Sequence, residues 1–324
     1  MSITLPTARG MELRPLGFGE IFDRAITLYV KNFIPFAGII AVLVVPLAVM
    51  QYFLDQSSAP QWDQMIQIFQ HPGKTPPTPV MPAFFTNPAL IAVFIGLMLV
   101  VYGLWPFAMN ACVVGIARLY RNRPVEFSAC YRAALRRWPS VIGLLLLEAC
   151  VFIAWYIAFL MVMVFTVVIA ILLFRVAAPL GVLVGIIGFL VNIAVLFSAA
   201  PLFVALTFAM NAVVVEERPV FSALGLGFTR VFNRREFWRA MLISISALFI
   251  LISASSLVSA LVILAMFFHA ILLEVILTTL FRAAIAPFTV VLLAIYYFDV
   301  RIRREGYEIE AGLDRLAAAG PQVA

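Results

Sequence analysis

The sequence predicts an all-α integral membrane protein with six transmembrane helices, arranged as three repeats of one amphipathic helix and two spans. Three observations lead to this fold class. Hydrophobic residues make up 65% of the 324 residues and charged residues only 12%, which excludes an ordinary water-soluble fold. Several apolar stretches exceed the roughly 20 residues needed to cross a bilayer. A motif of arginine, proline and an aliphatic residue occurs three times along the chain.

The repeated motif sets the predicted domain organisation, because internal self-similarity marks a repeated structural unit. The motif starts at Arg14, Arg123 and Arg218, and its last two copies continue as RPVEFSA and RPVFSA. We expect a single transmembrane domain over residues 1–324. Its repeats are predicted at about 14–117, 123–215 and 218–304. Each repeat has an even number of spans, which favours a pseudo-threefold bundle around the membrane normal.

Six apolar segments are predicted to cross the membrane. They lie at about 33–54, 88–117, 141–174, 178–215, 239–267 and 271–300. The stretch 141–215 has Glu148 and Arg175 as its only charged residues, so three short spans would fit it as easily as two long ones. Two spans agree better with the charge distribution of the loops. An internal proline deletes one backbone hydrogen bond, so Pro201 is predicted to kink the fourth span.

Arginine placement predicts the orientation of the chain, because Lys and Arg are retained on the cytoplasmic side. The segments 118–140 and 216–239 are rich in arginine, and the chain after the last span opens with Arg301 and Arg303. Both termini are therefore predicted to be cytoplasmic, including a tail over 307–324. On the other side, 55–87 is predicted to form a proline-rich outer loop with an extended, irregular backbone. Within that loop, one face of a short helix is predicted from Trp62, Met65, Ile66 and Phe69.

A segment with amphipathic helical spacing precedes each pair of spans. These segments begin near Phe18, Phe127 and Phe221 and carry charged residues on the face opposite their apolar one. Such helices lie flat in the headgroup zone, with rings buried and guanidinium groups on phosphate. They are either elbows that anchor the bundle or a specific surface for anionic lipid or a membrane protein partner. The candidate cytoplasmic interface comprises Glu20, Asp23, Arg24, Arg132, Arg136, Arg137, Arg230, Arg234, Asp299, Arg301 and Arg303.

Charged residues inside the apolar zone are the candidate intramembrane polar site. They are Glu148, Glu274 and Arg282, and each costs roughly 2.5–3.5 kcal/mol at the centre of a span. Glu274 is expected near the outer end of the sixth span, within reach of water. It shares a helix face with Arg282, but about 12 Å of helical rise separates the two. Pairing within the bundle, a solute or proton path, and snorkelling to the interface are the three open roles.

Motifs that carry chemistry are not found in this sequence. It has no GxxxxGK[ST], HExxH or GxSxG pattern and two histidines in all, which leaves acid-base and metal mechanisms without their usual residues. We therefore expect no catalytic residue, no metal site, no cofactor and no enzyme activity. The formal net charge of +6 sets topology and need not imply nucleic acid. Three cysteines are expected to stay reduced and structural.

Two segments at the ends of the chain resemble a known family. ELRPLGFGEIFDRAITLYVKNFIPFAGI and APFTVVLLAIYYFDVRIRREGYEIE are similar to the opening and closing signatures of bacterial proteins related to the membrane domain of glycerophosphoryl diester phosphodiesterases. The resemblance implies a bacterial multi-pass protein. Nothing resembles the family's catalytic barrel, so hydrolase activity does not carry over. The matching residues are Arg14, Pro15, Glu20, Asp23, Arg24, Tyr296, Tyr297, Asp299, Arg301, Arg303, Glu305 and Gly306.

The matching residues at the two ends suggest one contact and one location. We expect Asp23 or Glu20 to pair with Arg301 or Arg303 and so to join the first repeat to the last. Spanning helices, rather than barrel strands, indicate the inner rather than the outer membrane of a bacterium.

Two functions from different classes agree with these features. The first is a non-catalytic membrane protein that binds lipid, anionic at the cytoplasmic face, or a membrane protein partner, and supports membrane or envelope processes. The second is a transporter or lipid-handling channel with a path between the repeats past Glu148, Glu274 and Arg282. Substitution separates the two functions: Glu148→Gln or Arg282→Ala should abolish flux in a transporter and lower only stability in a scaffold. In a scaffold, Arg136→Glu with Arg137→Glu should release a partner.

Overall fold

The computed structural model describes residues 14–70, 87–268 and 270–306, and this part of the chain contains helices and no β-strand. Six segments are long and apolar enough to cross a membrane, judged by length and composition. The predicted all-α class and the number of spans are therefore confirmed. The helices are α1 (Phe18–Lys31), α2 (Phe33–Gln70), α3 (Pro88–Tyr120), α4 (Phe127–Arg136), α5 (Trp138–Val176), α6 (Ala178–Phe197), α7 (Ala199–Val215), α8 (Val220–Val231), α9 (Glu236–Phe267) and α10 (Ile271–Glu305).

Local sequence signals fix several helix ends. The Asn87 side chain accepts a hydrogen bond of 3.0 Å from the backbone nitrogen of Ala89 and caps α3. Proline follows as the first residue of that helix, where its missing N–H costs nothing. At the end of α10, Gly306 adopts a left-handed φ of 66° and stops the helix.

The three predicted amphipathic segments are helices, and each precedes a long apolar helix. They are α1, α4 and α8, which lead into α2, α5 and α9. In α1 the buried face consists of Ile21, Ala25 and Tyr29. In α8, Gly227 packs so closely on α7 that an added Cβ would lie 2.2 Å from the carbonyl oxygen of Ala205. These helices are therefore packed parts of the protein as well as candidate surface elements.

The chain divides into two compact units. Unit one comprises the chain up to Leu135 and from Phe249 onward. Within it, α10 packs against α1, α2 and α3. Phe298 of α10 lies fully buried and stacks on Tyr120 of α3, with ring centroids 4.7 Å apart. Aromatic contact between the ends of two spans thus forms part of the core of unit one.

The short helix α4 is also fastened to unit one. The Tyr131 hydroxyl donates a hydrogen bond of 2.7 Å to the carbonyl oxygen of Ile39 in α2. Burial raises the pKa of Tyr131 to about 12, so the phenol keeps the proton that this hydrogen bond requires.

Unit two covers residues 136–248. Within it, α5 packs against α6, α7 and α8, and α7 packs against α8. The α5–α6 hairpin is tightest at its turn, where a Cβ on Gly181 would lie 2.4 Å from the Cα of Phe174. Further along, a Cβ on Gly188 would lie 2.8 Å from the Cβ of Thr166. Glycine is needed at both positions because the two backbones approach closely.

The fourth predicted span is interrupted, as the proline suggests, but the break precedes the proline. Helix α6 ends at Phe197 and α7 begins at Ala199, so Ser198 separates them. Pro201 has no N–H to donate to the carbonyl of Phe197, and its ring crowds that carbonyl. The helix break that Pro201 causes therefore lies about one turn before the proline itself.

The outer loop differs from its prediction. Helix α2 continues to Gln70, so an extended backbone is wrong for residues 55–61, while the segment from Trp62 to Phe69 is helical as predicted. The physical reason is the position of the prolines: in this part Pro60 is the only one, and the others come after residue 70. Residues 71–86, the tail 307–324, and the side chains of the predicted helix face from Trp62 to Phe69 lie outside the described part of the structure.

Candidate functional site

The start of α1 and the end of α10 are joined by a polar network. The backbone nitrogen of Leu16 donates a hydrogen bond of 2.6 Å to Oδ1 of Asp299, across 283 residues of sequence. Arg303 donates through Nε to Oδ2 of Asp299 at 2.9 Å and through a second nitrogen to the carbonyl oxygen of Leu16. Asp299 is fully buried. We call Leu16, Asp299 and Arg303 the clasp.

The clasp joins the two segments that were predicted to be in contact, but the residues that form it are not the predicted ones. Glu20 does not reach α10, because it caps its own helix. It accepts hydrogen bonds from Arg14 at 2.8 Å and from the Gly17 nitrogen at 2.6 Å. The Arg14 guanidinium, and secondly the Gly17 N–H, lower the pKa of Glu20. Asp23 has no hydrogen bond or ion pair within the described residues. Pairing of Glu20 or Asp23 with Arg301 or Arg303 is therefore wrong.

The spacing of residues on α10 explains why Arg303 bonds to Asp299 and not to Glu20 or Asp23. Asp299 and Arg303 are four residues apart, which places their side chains on one helix face. Together they present one acceptor and one donor to the backbone of the chain before α1. Arg301 is buried and pairs instead with Glu305, at 3.3 Å.

A second buried ion pair lies in unit two. Arg230 of α8 is 3% exposed and contacts Glu216 at 2.8 Å. Arg218 lies 3.8 Å from the other oxygen of Glu216, and Arg137 pairs with Glu217. The expectation that Arg230 is an exposed, phosphate-facing residue is therefore wrong. Because Glu216 follows α7 directly, its carboxylate ties the loop after α7 to the buried side of α8.

The remaining predicted interface arginines separate into engaged and available groups. Arg132, Arg136 and Arg234 are exposed, and they have no ion-pair or hydrogen-bond partner in the described part of the chain. Arg24 has an interaction within the protein. Among the predicted interface residues, the available guanidinium groups are thus those of α4 and of the turn after α8.

Two of the three predicted intramembrane residues, Glu274 and Arg282, lie in a cluster with two residues that were not predicted as site residues. Arg282 donates a hydrogen bond of 3.2 Å to Oε1 of Gln51, and the side chain of Gln51 also bonds to Asp55. Glu274 lies within electrostatic range of Asp55 and Arg282. We call these four residues the α2–α10 polar cluster.

The polar cluster is only partly satisfied. Glu274 is 2% exposed, and its Oε2 has no hydrogen-bond partner in the described residues; the same holds for the buried Oδ2 of Asp55. The expectation that Glu274 reaches water is therefore wrong. Helix α2 packs on α10 and extends beyond its predicted end at residue 54, and Asp55 in this extension lies within electrostatic range of Glu274. Glu148 lies in unit two, and its Oε1 is likewise buried without a partner in the part described.

A signal for Gln51 and Asp55 is present in the sequence. They lie four residues apart at the end of the first span, so both point to one side of a helix. A span that ends at residue 54 leaves Asp55 in the following loop, so the four-residue spacing does not appear within one helix.

A cavity of about 620 Å³ opens beside α1 in unit one. One wall is the polar face of α1, and the other is the turn between α3 and α4. Four basic and two acidic side chains contribute to the lining. The charged lining residues are Arg14, Glu20, Asp23, Arg24, Lys31 and Arg123.

Comparison of this chain with protein-family models, with curated proteins and with solved structures finds no match.

Proposed function

We propose that this protein is a non-catalytic, multi-pass membrane protein that binds anionic lipid or a protein partner at an arginine-rich cytoplasmic face and so supports membrane or envelope processes. One observation carries this proposal. Arg132, Arg136 and Arg234 remain exposed and unpaired among the described residues, although Arg137 and Arg230 have ion-pair partners. A guanidinium group left without a protein acceptor is available to phosphate or to a carboxylate of a partner.

The membrane orientation belongs to the same proposal. Arginines concentrate between the second and third spans, between the fourth and fifth, and after the sixth, which favours a cytoplasmic location for these segments and both termini. The recurring Arg-Pro motif supports three repeats related by pseudo-threefold symmetry. The resemblance of the chain ends to the glycerophosphoryl diester phosphodiesterase membrane-domain family supports a bacterial inner membrane.

Charge reversal on α4 tests the proposed surface. Replacement of Arg132 and Arg136 by glutamate should release a bound partner or weaken binding to vesicles that contain phosphatidylglycerol, since each Arg near anionic lipid contributes around 1 kcal/mol. Co-purification from the native membrane and vesicle flotation measure these effects. The matched control is Arg175→Glu, which reverses an exposed arginine at the α5–α6 turn. Equal losses in the control, or no loss in either variant, would contradict the proposal.

A transporter or lipid-handling channel is the second candidate function. The observation that favours it is the α2–α10 polar cluster, in which buried carboxylate oxygens of Asp55 and Glu274 have no hydrogen-bond partner within the described residues. Unsatisfied carboxylates beside an arginine occur where a proton or cation binds in transit.

Flux measurements separate the second function from the first. If the protein transports a solute, Glu274→Gln and Glu148→Gln should abolish flux in proteoliposomes while thermal unfolding stays cooperative. If it is a lipid- or partner-binding protein, both substitutions change stability alone, and the Arg132→Glu/Arg136→Glu variant loses binding.

A further inference from the structure

We propose that the cavity between α1 and the α3–α4 turn is a binding site for the phosphodiester headgroup of an anionic phospholipid, held by Lys31 and Arg123. The inference rests on the proposed function and deepens it, because it assigns one lipid to one site rather than lipids in general to a basic surface. The cavity, of about 620 Å³, lies wholly within unit one.

Charge in the cavity favours an anion. Four cationic side chains and two carboxylates line it, which gives the lining a formal net charge of +2. The Arg14 guanidinium already bonds to Glu20 at 2.8 Å. The side chains of Lys31 and Arg123 are exposed and have no ion-pair or hydrogen-bond partner in the part of the chain that the structure describes. Their hydrogen-bond donors are therefore available to phosphate oxygens, and charge-assisted bonds of this kind are the stronger ones.

One wall of the cavity is a continuous polar stripe. Glu20, Arg24, Thr27 and Lys31 of α1 all line the cavity, and their spacing of three or four residues places them on one helix face. The apolar face of α1, with Ile21 and Ala25, is buried on another side of the helix. The amphipathic helix therefore holds its place by packing and keeps its polar side open to the cavity.

The opposite wall is a turn held by its own hydrogen bonds. The Arg123 nitrogen donates to the carbonyl of Arg118 at 2.8 Å, and the Arg118 side chain donates to the carbonyl of Pro124 at 2.8 Å and contacts Glu126 at 3.4 Å. Asn122 adopts a left-handed φ of 56°. Arg123 thus projects from a fixed turn, so little backbone freedom is lost when its side chain binds a ligand.

The position of the cavity along the membrane normal fits a headgroup. Lys31 lies two residues before the candidate span that begins at Phe33, and Arg123 lies three residues after the span that ends at Tyr120. Both side chains therefore lie just outside the ends of candidate spans, on the side of each span end where headgroups are found. The carboxylate of Asp23 lines the same cavity and has no partner among the described residues. It can accept a hydrogen bond from a glycerol hydroxyl, which favours phosphatidylglycerol over a headgroup without donors.

Native mass spectrometry of the full-length protein in detergent tests the site. The probes are phosphatidylglycerol and phosphatidylcholine with identical acyl chains, with sodium phosphate as a competitor. We expect the unmodified protein to retain phosphatidylglycerol selectively. Arg123→Ala should reduce that preference about tenfold, because one charge-assisted hydrogen bond is lost, and Lys31→Ala/Arg123→Ala should remove it. Lys31→Arg/Arg123→Lys should restore it in part.

Arg235→Ala is the matched control, because Arg235 is exposed and does not line the cavity. It should keep the preference of the unmodified protein. If Arg235→Ala and Arg123→Ala reduce the preference equally, the cavity site is overturned while lipid binding by a general basic surface stands. If the unmodified protein does not discriminate between the two lipids, the lipid-binding part of the proposed function fails as well. If sodium phosphate displaces the lipid, and if binding of phosphate requires Lys31 and Arg123, the ligand is a soluble phosphate and the lipid assignment is overturned.

Discussion

The clasp and the α2–α10 polar cluster each combine a buried carboxylate of α10 with an exposed arginine of the same helix, yet they differ in completeness. In the clasp, both oxygens of Asp299 accept hydrogen bonds, one from Leu16 and one from Arg303. In the cluster, one oxygen of Asp55 and one of Glu274 are buried without a hydrogen-bond partner in the described part of the chain. The same helix therefore carries a satisfied site at one end and an unsatisfied site towards the other.

The difference in hydrogen bonding predicts that the two sites affect the stability of the protein differently. A buried carboxylate with full hydrogen bonding contributes to stability, and removal of a partner is costly because a buried charge stays behind. A buried carboxylate with an oxygen that accepts no hydrogen bond lowers the stability of the folded protein. Such a group is typical of a binding site, where a ligand supplies the missing partner. We therefore expect substitutions in the clasp and in the cluster to change the free energy of unfolding in opposite directions.

The largest effect is expected from Asp299→Ala. This change removes the acceptor of the partly exposed Arg303 side chain and of the backbone nitrogen of Leu16. The free energy of unfolding should fall by about 2–3 kcal/mol, as measured by denaturant titration in detergent micelles. Asp299→Asn is the matched control. It keeps an acceptor for Leu16 and should cost less, about 1–2 kcal/mol. Equal stability of all three proteins would show that the clasp does not hold the two chain ends.

The opposite sign is expected from Glu274→Gln. An amide has nearly the same shape as the carboxylate but no charge to desolvate, so the free energy of unfolding should rise by about 1 kcal/mol. The same titration measures it, and Asp55→Asn provides the parallel test on α2. A loss of several kcal/mol in Glu274→Gln would mean that the cluster is as complete as the clasp, and the contrast between the two sites would disappear.

The smallest effect concerns Glu20, beside the clasp. Its pKa is lowered in the folded protein from an ordinary value of 4.5, chiefly by the Arg14 hydrogen bond. The folded state therefore favours the ionised form. The contribution of Glu20 is present above pH 4.5 and is lost as the pH falls through the lower folded value.

Hydrogen exchange at the first turn of α1 measures this contribution, because the Ile21 nitrogen bonds to the Gly17 carbonyl there at 3.2 Å. Protection of that amide, corrected for intrinsic exchange, should decrease on acidification in the unmodified protein. In Glu20→Gln it should be lower at neutral pH and nearly independent of pH. The same pH dependence in both proteins would assign the change to another group.

Much of the fold follows from the sequence. Apolar length alone places the six spans, and a period near 3.6 identifies α1, α4 and α8. Both signals are local, so they do not depend on which helices meet. The break before Pro201 has a similar local cause and is displaced by one turn, because the proline affects the carbonyl four residues before it.

The candidate sites follow from the sequence only in part. Glu274 and Arg282 are conspicuous because a charge in an apolar stretch is rare. Asp55 is not, since its significance comes from α2 packing on α10. The clasp likewise depends on a backbone group, Leu16, whose donor and acceptor have no signature in a residue list. Pairing across helices is set by tertiary contact, and no single-sequence pattern encodes it.

The clasp also has a consequence for the timing of assembly during synthesis. Leu16 leaves the ribosome 283 residues before Asp299, which is roughly 14–57 s at a translation rate of about 5–20 residues per second. Unit two is continuous in sequence, so all of its residues are available before the last helix of unit one has been made. During that interval the segment before α1 lacks its hydrogen-bond partners on α10. An amphipathic helix has affinity for the bilayer surface, and this affinity can hold α1 at the membrane until α10 has been synthesised.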